Sequence, residues 1–131
     1  TDQSGNRPEA TQRNLELEGV SERCELRTGD MLAMPIPDAS FDLVVSSMAI
    51  HNIDERDIRH HERRLQALDE AVRVLKPGGR LVITDFWSSL YASHLRSRGF
   101  DQVEQRALGW RFWYGPWLGA GLVTATKPLP A

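Results

Sequence analysis

The sequence reads Gly29-Asp30-Met31, then Phe41-Asp42-Leu43-Val44-Val45-Ser46-Ser47, then Leu75-Lys76-Pro77-Gly78-Gly79. The first run is an acidic turn, the second is an apolar and β-branched strand, and the third ends a helix with proline and glycine. Consecutive apolar positions predict that residues 41–46 are buried on both faces of a parallel sheet. This order and spacing are typical of a nucleotide-binding α/β unit.

The sequence on either side continues the alternation of helix and strand. A helix capped by Asn6 is predicted to end at Gly19, and the helix before Pro77 carries an apolar stripe that includes Leu65 and Val72. The other predicted elements are a strand at residues 23–28, a buried strand that begins at residues 81–83, a helix at residues 88–99, and two strands at residues 103–108 and 122–126. We expect the last two strands to form an antiparallel hairpin, so the fold is α/β in one domain over residues 1–131.

The composition is ordinary for a globular protein and excludes several function classes. Hydrophobic residues make up 40% and charged residues 26%, and 16 basic against 18 acidic side chains give a net charge of −2. This charge does not favour a nucleic-acid partner. No apolar run reaches the ~20 residues of a membrane-spanning helix, and no secretory leader precedes the fold. Cys24 is the only cysteine, so no internal disulfide can form and a reducing, cytoplasmic location is expected.

Three turns are candidates for a binding site because ligands of doubly wound sheets lie beyond the carboxyl ends of the strands. They are Gly29-Asp30-Met31, Ser46-Ser47-Met48 and Asp85-Phe86-Trp87. Gly29 lets the backbone turn sharply, the Asp30 carboxylate can accept a hydrogen bond from a ligand, and Met31 can lie against a flat heterocycle. An equal alternative is that Asp30 only caps its turn.

Longer motifs of this chain resemble the class I S-adenosylmethionine-dependent methyltransferases. They are Gly29-Asp30-Met31, Pro35-Ile36-Pro37-Asp38-Ala39-Ser40-Phe41-Asp42 and Glu70-Ala71-Val72-Arg73-Val74-Leu75-Lys76-Pro77-Gly78-Gly79. They are similar to the pattern GD…LPFPDASFD…RVLKPGG, with Ile36 where phenylalanine is common, and they cover about the central half of the chain. The resemblance implies a Rossmann-like sheet of seven strands in the order 3-2-1-4-5-7-6, of which this chain supplies strands 3 to 7.

The resemblance also implies a cofactor site and a reaction. Asp30, which follows Gly29, would bond the adenine amino group of S-adenosylmethionine, and Met31 would flank the ring. Ser46 and Ser47 would lie beside the cofactor at the end of the fourth strand. Asp2 would bind the ribose hydroxyls, with a turn at the helix entry as an equal alternative. The implied activity is methyl transfer to a small-molecule acceptor.

The chain departs from the family at its start. The first strand and its Gly-x-Gly-x-Gly loop are absent, and the chain opens on Thr1; the Gly-x-Gly present, Gly119-Ala120-Gly121, lies before the last strand. We therefore interpret the chain as an N-terminally truncated methyltransferase domain with impaired cofactor binding. One alternative is a non-catalytic Rossmann-like remnant or interaction module, and a weaker one is a nicotinamide-dependent oxidoreductase. The third family strand would lack its neighbour, so the chain would close the gap, leave this strand loose or pair with another copy of itself.

His51 and Asn52 are the candidates for acceptor chemistry. Both follow the fourth family strand, where His51 can serve as general base and Asn52 can orient the acceptor. Simple packing of His51 is the alternative. His60 and His61 face different directions on a helix, so no metal site is predicted from them.

An aromatic cluster at residues 110–117 contains three tryptophans around Arg111. It is predicted to be part of a hairpin on the sheet edge, with a lid over the acceptor pocket as the second interpretation. If exposed, this aromatic loop is a further route to self-association.

Overall fold

The computed structural model describes residues 7–53, 61–110 and 119–131 of the chain. The strands are β1 (Phe41–Ser47), β2 (Leu75–Asp85), β3 (Val103–Ala107) and β4 (Gly121–Thr126). The helices are α1 (Pro8–Leu17), α2 (Glu62–Val74) and α3 (Ser88–Ser97), with single turns of 3₁₀ helix at Ser21–Arg23 and Ile50–Asn52. Strand and helix alternate from β1 onward, which confirms the α/β fold.

The four strands form one mixed sheet in the order β1-β2-β4-β3. β1 and β2 are parallel, with Leu43 opposite Arg80 and Ser47 opposite Thr84. β4 is antiparallel to both of its neighbours, β2 and β3. The predicted antiparallel end of the chain is therefore confirmed. Because the parallel strands β1 and β2 both end at one edge of the sheet, the residues that follow them meet there.

The hydrophobic core lies between the sheet and the two helices α2 and α3. α2 buries one stripe, which consists of Arg64, Ala67, Leu68, Ala71 and Val74. This stripe is displaced by about one position from the predicted one, since Leu65 and Val72 are only partly buried. α3 buries Tyr91, Ala92 and Leu95, which belong to the same cluster as the apolar residues of β2 and β4.

The Lys-Pro-Gly-Gly run lies inside a strand, and the predicted helix end at Pro77 is wrong by three residues. α2 ends at Val74 and β2 begins at Leu75. Gly78 has a φ of +76°. A Cβ on Gly79 would lie 2.8 Å from the Leu75 side chain and 3.0 Å from the Asp42 carbonyl oxygen of the neighbouring strand. The glycines therefore allow the start of β2 to bend while it passes closely beside β1.

The predicted strand at residues 23–28 is wrong. The chain makes a 3₁₀ turn at Ser21–Arg23, and residues 24–30 are exposed and irregular. No strand pairs with this segment in the part of the chain that the structure describes. An extended segment with no neighbour lacks the hydrogen bonds that define a strand, so local sequence preference alone does not form one here.

The prediction that residues 41–46 are buried on both faces is also wrong. β1 is an edge strand, and Phe41, Leu43 and Val45 are 42%, 55% and 62% exposed. These three residues alternate along the strand, so they point to the same face of the sheet. One face of β1 is covered by the core, and the other is an exposed apolar surface.

The loop between residues 31 and 40 is bound along α2. Arg73 donates hydrogen bonds to the carbonyl oxygens of Met34 and Ile36 and to the carboxylates of Glu70 and Asp38, at 2.7–3.0 Å. Glu70 in turn accepts from the Met34 main-chain N–H at 2.9 Å. The hydrogen bond from Arg73 and, as a smaller effect, the one from the Met34 N–H hold the pKa of Glu70 below its usual range.

The ends of α1 and α3 follow the predicted glycine signals. Gly19 and Gly99 follow these helices with φ values of +65° and +85°. Asn6, the predicted cap of α1, lies outside the described residues. Within the described ranges, no helix is long and apolar enough to cross a membrane.

Candidate functional site

The turns that follow β1 and β2 share an unusual backbone conformation. Met48 and Trp87 both have φ values near +50°, in the left-handed region that favours glycine. The Met48 N–H donates to the carbonyl oxygen of Thr84 at 2.8 Å, which ties the first turn to β2. Strained residues of this kind often lie at functional sites. The two turns bring residues after β1 and β2 into contact at the carboxyl edge of the sheet.

Asp85, the last residue of β2, is a fully buried carboxylate with three hydrogen-bond donors. Its Oδ1 accepts from the Phe86 main-chain N–H at 2.7 Å and from His51 Nδ1 at 2.8 Å. Its Oδ2 accepts from the His51 main-chain N–H at 3.1 Å. These bonds offset the cost of removing the carboxylate from water.

His51 lies on the 3₁₀ turn after β1, with its ring between Asp85 and Phe86. The His51 and Phe86 rings meet edge to face, with centroids 4.9 Å apart. The side chain of His51 is 18% exposed. No described residue bonds its Nε2, so this atom is the part of the imidazole that a ligand can reach.

Arg64 of α2 places a buried positive charge beside this pair. The Arg64 residue is 2% exposed. Its guanidinium donates to His61 Nδ1 at 3.0 Å and to the His51 carbonyl oxygen at 3.3 Å. Its guanidinium lies over the Trp87 ring, 4.6 Å from the centroid. Arg64 therefore joins α2 to the turns after both parallel strands.

Two buried hydroxyls in this region have no hydrogen-bond partner among the described residues. They are Ser46 Oγ, near the end of β1, and Tyr91 Oη, on α3. Burial raises the pKa of Tyr91 well above its usual range, the Asp85 carboxylate raises it further, and Arg64 opposes both effects. Ser46 was predicted as a cofactor residue, and its unsatisfied hydroxyl is available to a ligand that reaches it.

The turn at Gly29, Asp30 and Met31 lies beside the first half of α2. Gln66 Nε2 donates to the carbonyl oxygen of Leu32 at 3.1 Å, and Met31 packs against the core. α2 begins at the carboxyl edge, so this turn lies toward the same end of the sheet as His51. Asp30 Oδ1 accepts from the Leu32 N–H at 2.9 Å, which is the capping role of the alternative interpretation. Its second oxygen bonds no described residue and remains an acceptor for a ligand.

The other predicted residues have different positions. Asn52 donates to the Met48 carbonyl oxygen at 3.3 Å, so its amide nitrogen is used within the loop. Ser47 ends β1 and is exposed. Asp2 and His60 lie outside the described residues, as does the aromatic run after Trp110; Trp110 itself is 78% exposed.

Two residues of the site were not assigned a role from sequence. Asp85 was selected as a strand-end residue, but nothing in the sequence linked it to His51, which is 34 positions away. Arg64 gave no signal, because a charged residue on an amphipathic helix is expected on the solvent side. The sequence did offer one indication of this contact, because Asp85 stands at the end of one predicted parallel strand and His51 follows the neighbouring one.

Comparison with known proteins gives a consistent result. A family model described as "Methyltransferase domain" matches residues 1–83, more than half of the chain. The ubiquinone/menaquinone biosynthesis C-methyltransferase UbiE of Ruegeria sp. (strain TM1040) is 38% identical over 78 residues, which are 60% of this chain and 28% of that protein. The chain thus spans well under half the length of this curated relative.

Two solved structures share the fold. The 4+2 cyclase SpnF aligns with 90% of this chain and 62% of its own, with a TM-score of 0.67 and 20% identity. The S-adenosylmethionine-dependent methyltransferase SibL, in its apo form, aligns with 94% of this chain and 42% of its own, with a TM-score of 0.65 and 20% identity. At this level of identity the likeness concerns the fold alone, and the two titles name different reactions.

Proposed function

The chain belongs to the methyltransferase-domain family, and we propose that its site serves S-adenosylmethionine-dependent methyl transfer to a small-molecule acceptor. The observation that carries this proposal is the position of the polar groups. The unsatisfied Ser46 hydroxyl and the His51–Asp85 pair lie at or just beyond the carboxyl ends of two adjacent parallel strands. Ligands of open α/β sheets bind at this edge.

The described residues fit the adenosyl part of the cofactor. Asp30 keeps one carboxylate oxygen free to accept from the adenine amino group, with Gly29 and Met31 forming the turn around it. Ser46 and Ser47 would contact the cofactor from the end of β1. Asp2 is proposed for the ribose hydroxyls. When bound, the cofactor supplies a methyl group made reactive by a positively charged sulfur.

The acceptor side of the site is proposed to use His51 and Asn52. His51 presents Nε2 as a proton acceptor, which is useful when the acceptor is a hydroxyl or a protonated amine. Asn52 keeps its amide oxygen for orienting the acceptor, since its nitrogen already bonds Met48. Most of the remaining catalytic work is alignment of the acceptor with the methyl group.

A small-molecule acceptor is favoured over a macromolecular one. The net charge of −2 gives no electrostatic preference for nucleic acid. The relative with 38% identity is named for ubiquinone and menaquinone biosynthesis, which are small-molecule pathways. The acceptor of this chain is proposed only at the level of this class.

Isothermal titration of S-adenosylhomocysteine into the chain tests the cofactor part of the proposal. Because the chain has no Gly-x-Gly-x-Gly loop before Asp30, we expect weak binding, with Kd on the order of 0.1–1 mM. Asp30→Ala should reduce the affinity about tenfold through the lost charged hydrogen bond. The matched control is Asp42→Ala, because Asp42 is the second residue of β1, at the opposite edge of the sheet, and its loss should not affect binding.

Circular dichroism of the same samples verifies that each variant is folded. A folded wild-type chain that binds no S-adenosylhomocysteine would remove the cofactor proposal for this chain. Equal losses in Asp30→Ala and Asp42→Ala would remove Asp30 from the site.

Self-association, or an interaction-module role, is the second candidate function. It is favoured by the exposed apolar residues Phe41, Leu43 and Val45 on an edge strand. An edge strand with an apolar face offers both main-chain hydrogen bonds and hydrophobic area to a partner. Sedimentation equilibrium across a concentration range tests this, and a monomer at every concentration contradicts it.

A further inference from the structure

Asp85 holds His51 at two points, the imidazole ring and the main-chain N–H. The ring contact is 2.8 Å from Nδ1 to Oδ1, and the main-chain contact is 3.1 Å from N to Oδ2. We propose that Asp85 is a positioning residue that fixes the Nδ1–H tautomer of His51 and leaves Nε2 as the proton acceptor of the site. This inference rests on the proposed methyl transfer for its use, but its geometry can be tested without it.

The tautomer follows from the other bonds of the carboxylate. Oδ1 also accepts from the Phe86 N–H at 2.7 Å, and Oδ2 accepts from the His51 N–H. Both oxygens therefore act as acceptors, and the hydrogen between Oδ1 and Nδ1 belongs to the ring nitrogen. A neutral imidazole with its hydrogen on Nδ1 has a lone pair on Nε2, which no described residue bonds.

The groups around the pair hold it in place. Arg64 donates to the His51 carbonyl oxygen and to His61 Nδ1, and its guanidinium is buried beside the same turns. Tyr91 is electrostatically coupled to both Asp85 and Arg64 from α3. Among the described residues, the titratable groups linked to the pair are thus Arg64, His61 and Tyr91.

The pair has a defined use in the proposed reaction. A proton released by an acceptor O–H or N–H passes to His51 Nε2, and the broken bond leaves its electron pair on the acceptor atom. That electron pair would form the new bond to the methyl carbon as the carbon–sulfur bond of the donor breaks, and the electrons of the broken bond would stay on sulfur as a neutral thioether. The resulting imidazolium keeps its Nδ1–H on the Asp85 carboxylate, which stabilises the new charge.

The chain contains its own control for this inference. His94 Nε2 lies 2.8 Å from Asp69 Oδ1, and Arg98 donates to the second oxygen of Asp69. Asp69 is therefore also an acceptor, but it contacts the opposite ring nitrogen. The two histidine–aspartate pairs should hold opposite tautomers, Nδ1–H in His51 and Nε2–H in His94.

Long-range ¹⁵N–¹H NMR of the ¹⁵N-labelled chain, above the pH at which its histidines are charged, reads these tautomers directly. His51→Gln assigns the His51 signals. We expect a protonated Nδ1 and a bare Nε2 for His51, and the reverse for His94. A His51 with its hydrogen on Nε2 overturns the proposal. This wild-type measurement decides the tautomer even where a variant does not fold.

Asp85→Asn tests whether the carboxylate sets the tautomer. An amide has one acceptor oxygen and cannot satisfy three donors, so the His51 signals should move to the Nε2–H form or to a mixture. Asp69→Asn is the matched control and should change only His94. If His51 keeps its pure Nδ1–H tautomer in a folded Asp85→Asn chain, Asp85 is not the positioning residue.

The outcome is separable from the proposed function. The tautomer is measured without cofactor or acceptor, whereas binding of S-adenosylhomocysteine is measured without reference to His51. Loss of binding with the expected tautomer would contradict the function and leave the histidine–aspartate geometry intact. Intact binding with the wrong tautomer would contradict only the role of Asp85.

Discussion

Replacing Tyr91 with phenylalanine is expected to stabilise the protein. The Tyr91 ring is fully buried, and its hydroxyl has no hydrogen-bond partner among the described residues. A buried hydroxyl without a partner costs about 1–3 kcal/mol. Phenylalanine keeps the ring contacts and leaves a void the size of one oxygen atom, and this void offsets part of the gain in the free energy of unfolding. The net gain should be about 1 kcal/mol, measured as the free energy of unfolding in urea.

The gain should increase at high pH. Burial, and secondarily Asp85, raise the pKa of Tyr91 above its ordinary value of 10.0. The folded state therefore keeps its proton where the unfolded state loses it, and wild-type stability falls as pH rises past that value, by up to about 1.4 kcal/mol per pH unit. Tyr91→Phe lacks this loss, so its advantage over wild type should widen between pH 8 and pH 10.5.

The matched control is Ser97→Ala on the same helix. The Ser97 hydroxyl donates to the His94 carbonyl oxygen at 2.7 Å, so its removal should destabilise the chain by a few tenths of a kcal/mol. A Tyr91→Phe variant that is less stable than wild type, with no change in the difference between the two pH values, would refute the reasoning. It would mean that the hydroxyl is satisfied in solution.

Three further predictions concern packing and association. Arg73→Ala should clearly lower the midpoint of urea unfolding, because it releases the loop at residues 31–40 from α2. Lys76→Ala breaks only an exposed ion pair with Asp42 and should leave the midpoint almost unchanged. Equal effects of the two substitutions would contradict this prediction. Gly121→Ala should cost about 1–3 kcal/mol because the new Cβ would lie 2.1 Å from Ser88 Oγ, and Ser88→Gly should restore stability in the double variant. Val45→Thr should weaken self-association in sedimentation at little cost in folding stability, and unchanged association would exclude this face.

The order of the elements was predictable because local signals agree with the tertiary structure. Gly19 and Gly99 mark the ends of two helices with positive φ, as expected for left-handed terminators. The antiparallel hairpin at the end of the chain was predicted from two short segments joined by an aromatic loop. These features depend on residues close in sequence, so a single sequence contains the information needed.

The predictions that were wrong concern features that depend on residues distant in sequence. The burial of β1 was predicted from its consecutive apolar residues, but burial is decided by what covers each face. The segment at residues 23–28 was predicted to be a strand from its composition, but it pairs with no strand that the structure describes, so composition alone was not sufficient. Arg64 lies on the buried stripe of α2, where acceptors outside the helix, such as the His51 carbonyl oxygen, accept hydrogen bonds from its guanidinium. The acceptors on those elements are not visible in the α2 sequence.

The position of β1 has a consequence for how the site opens. His51 follows β1 and Asp85 ends β2, so the two members of the pair belong to strands with unequal support. Within residues 7–53, 61–110 and 119–131, β2 is bonded on both sides, whereas β1 is bonded on one side only. Hydrogen exchange should therefore be faster in β1 than in β2, because edge elements open without global unfolding. Local opening of β1 would separate His51 from Asp85 while the rest of the sheet stays folded.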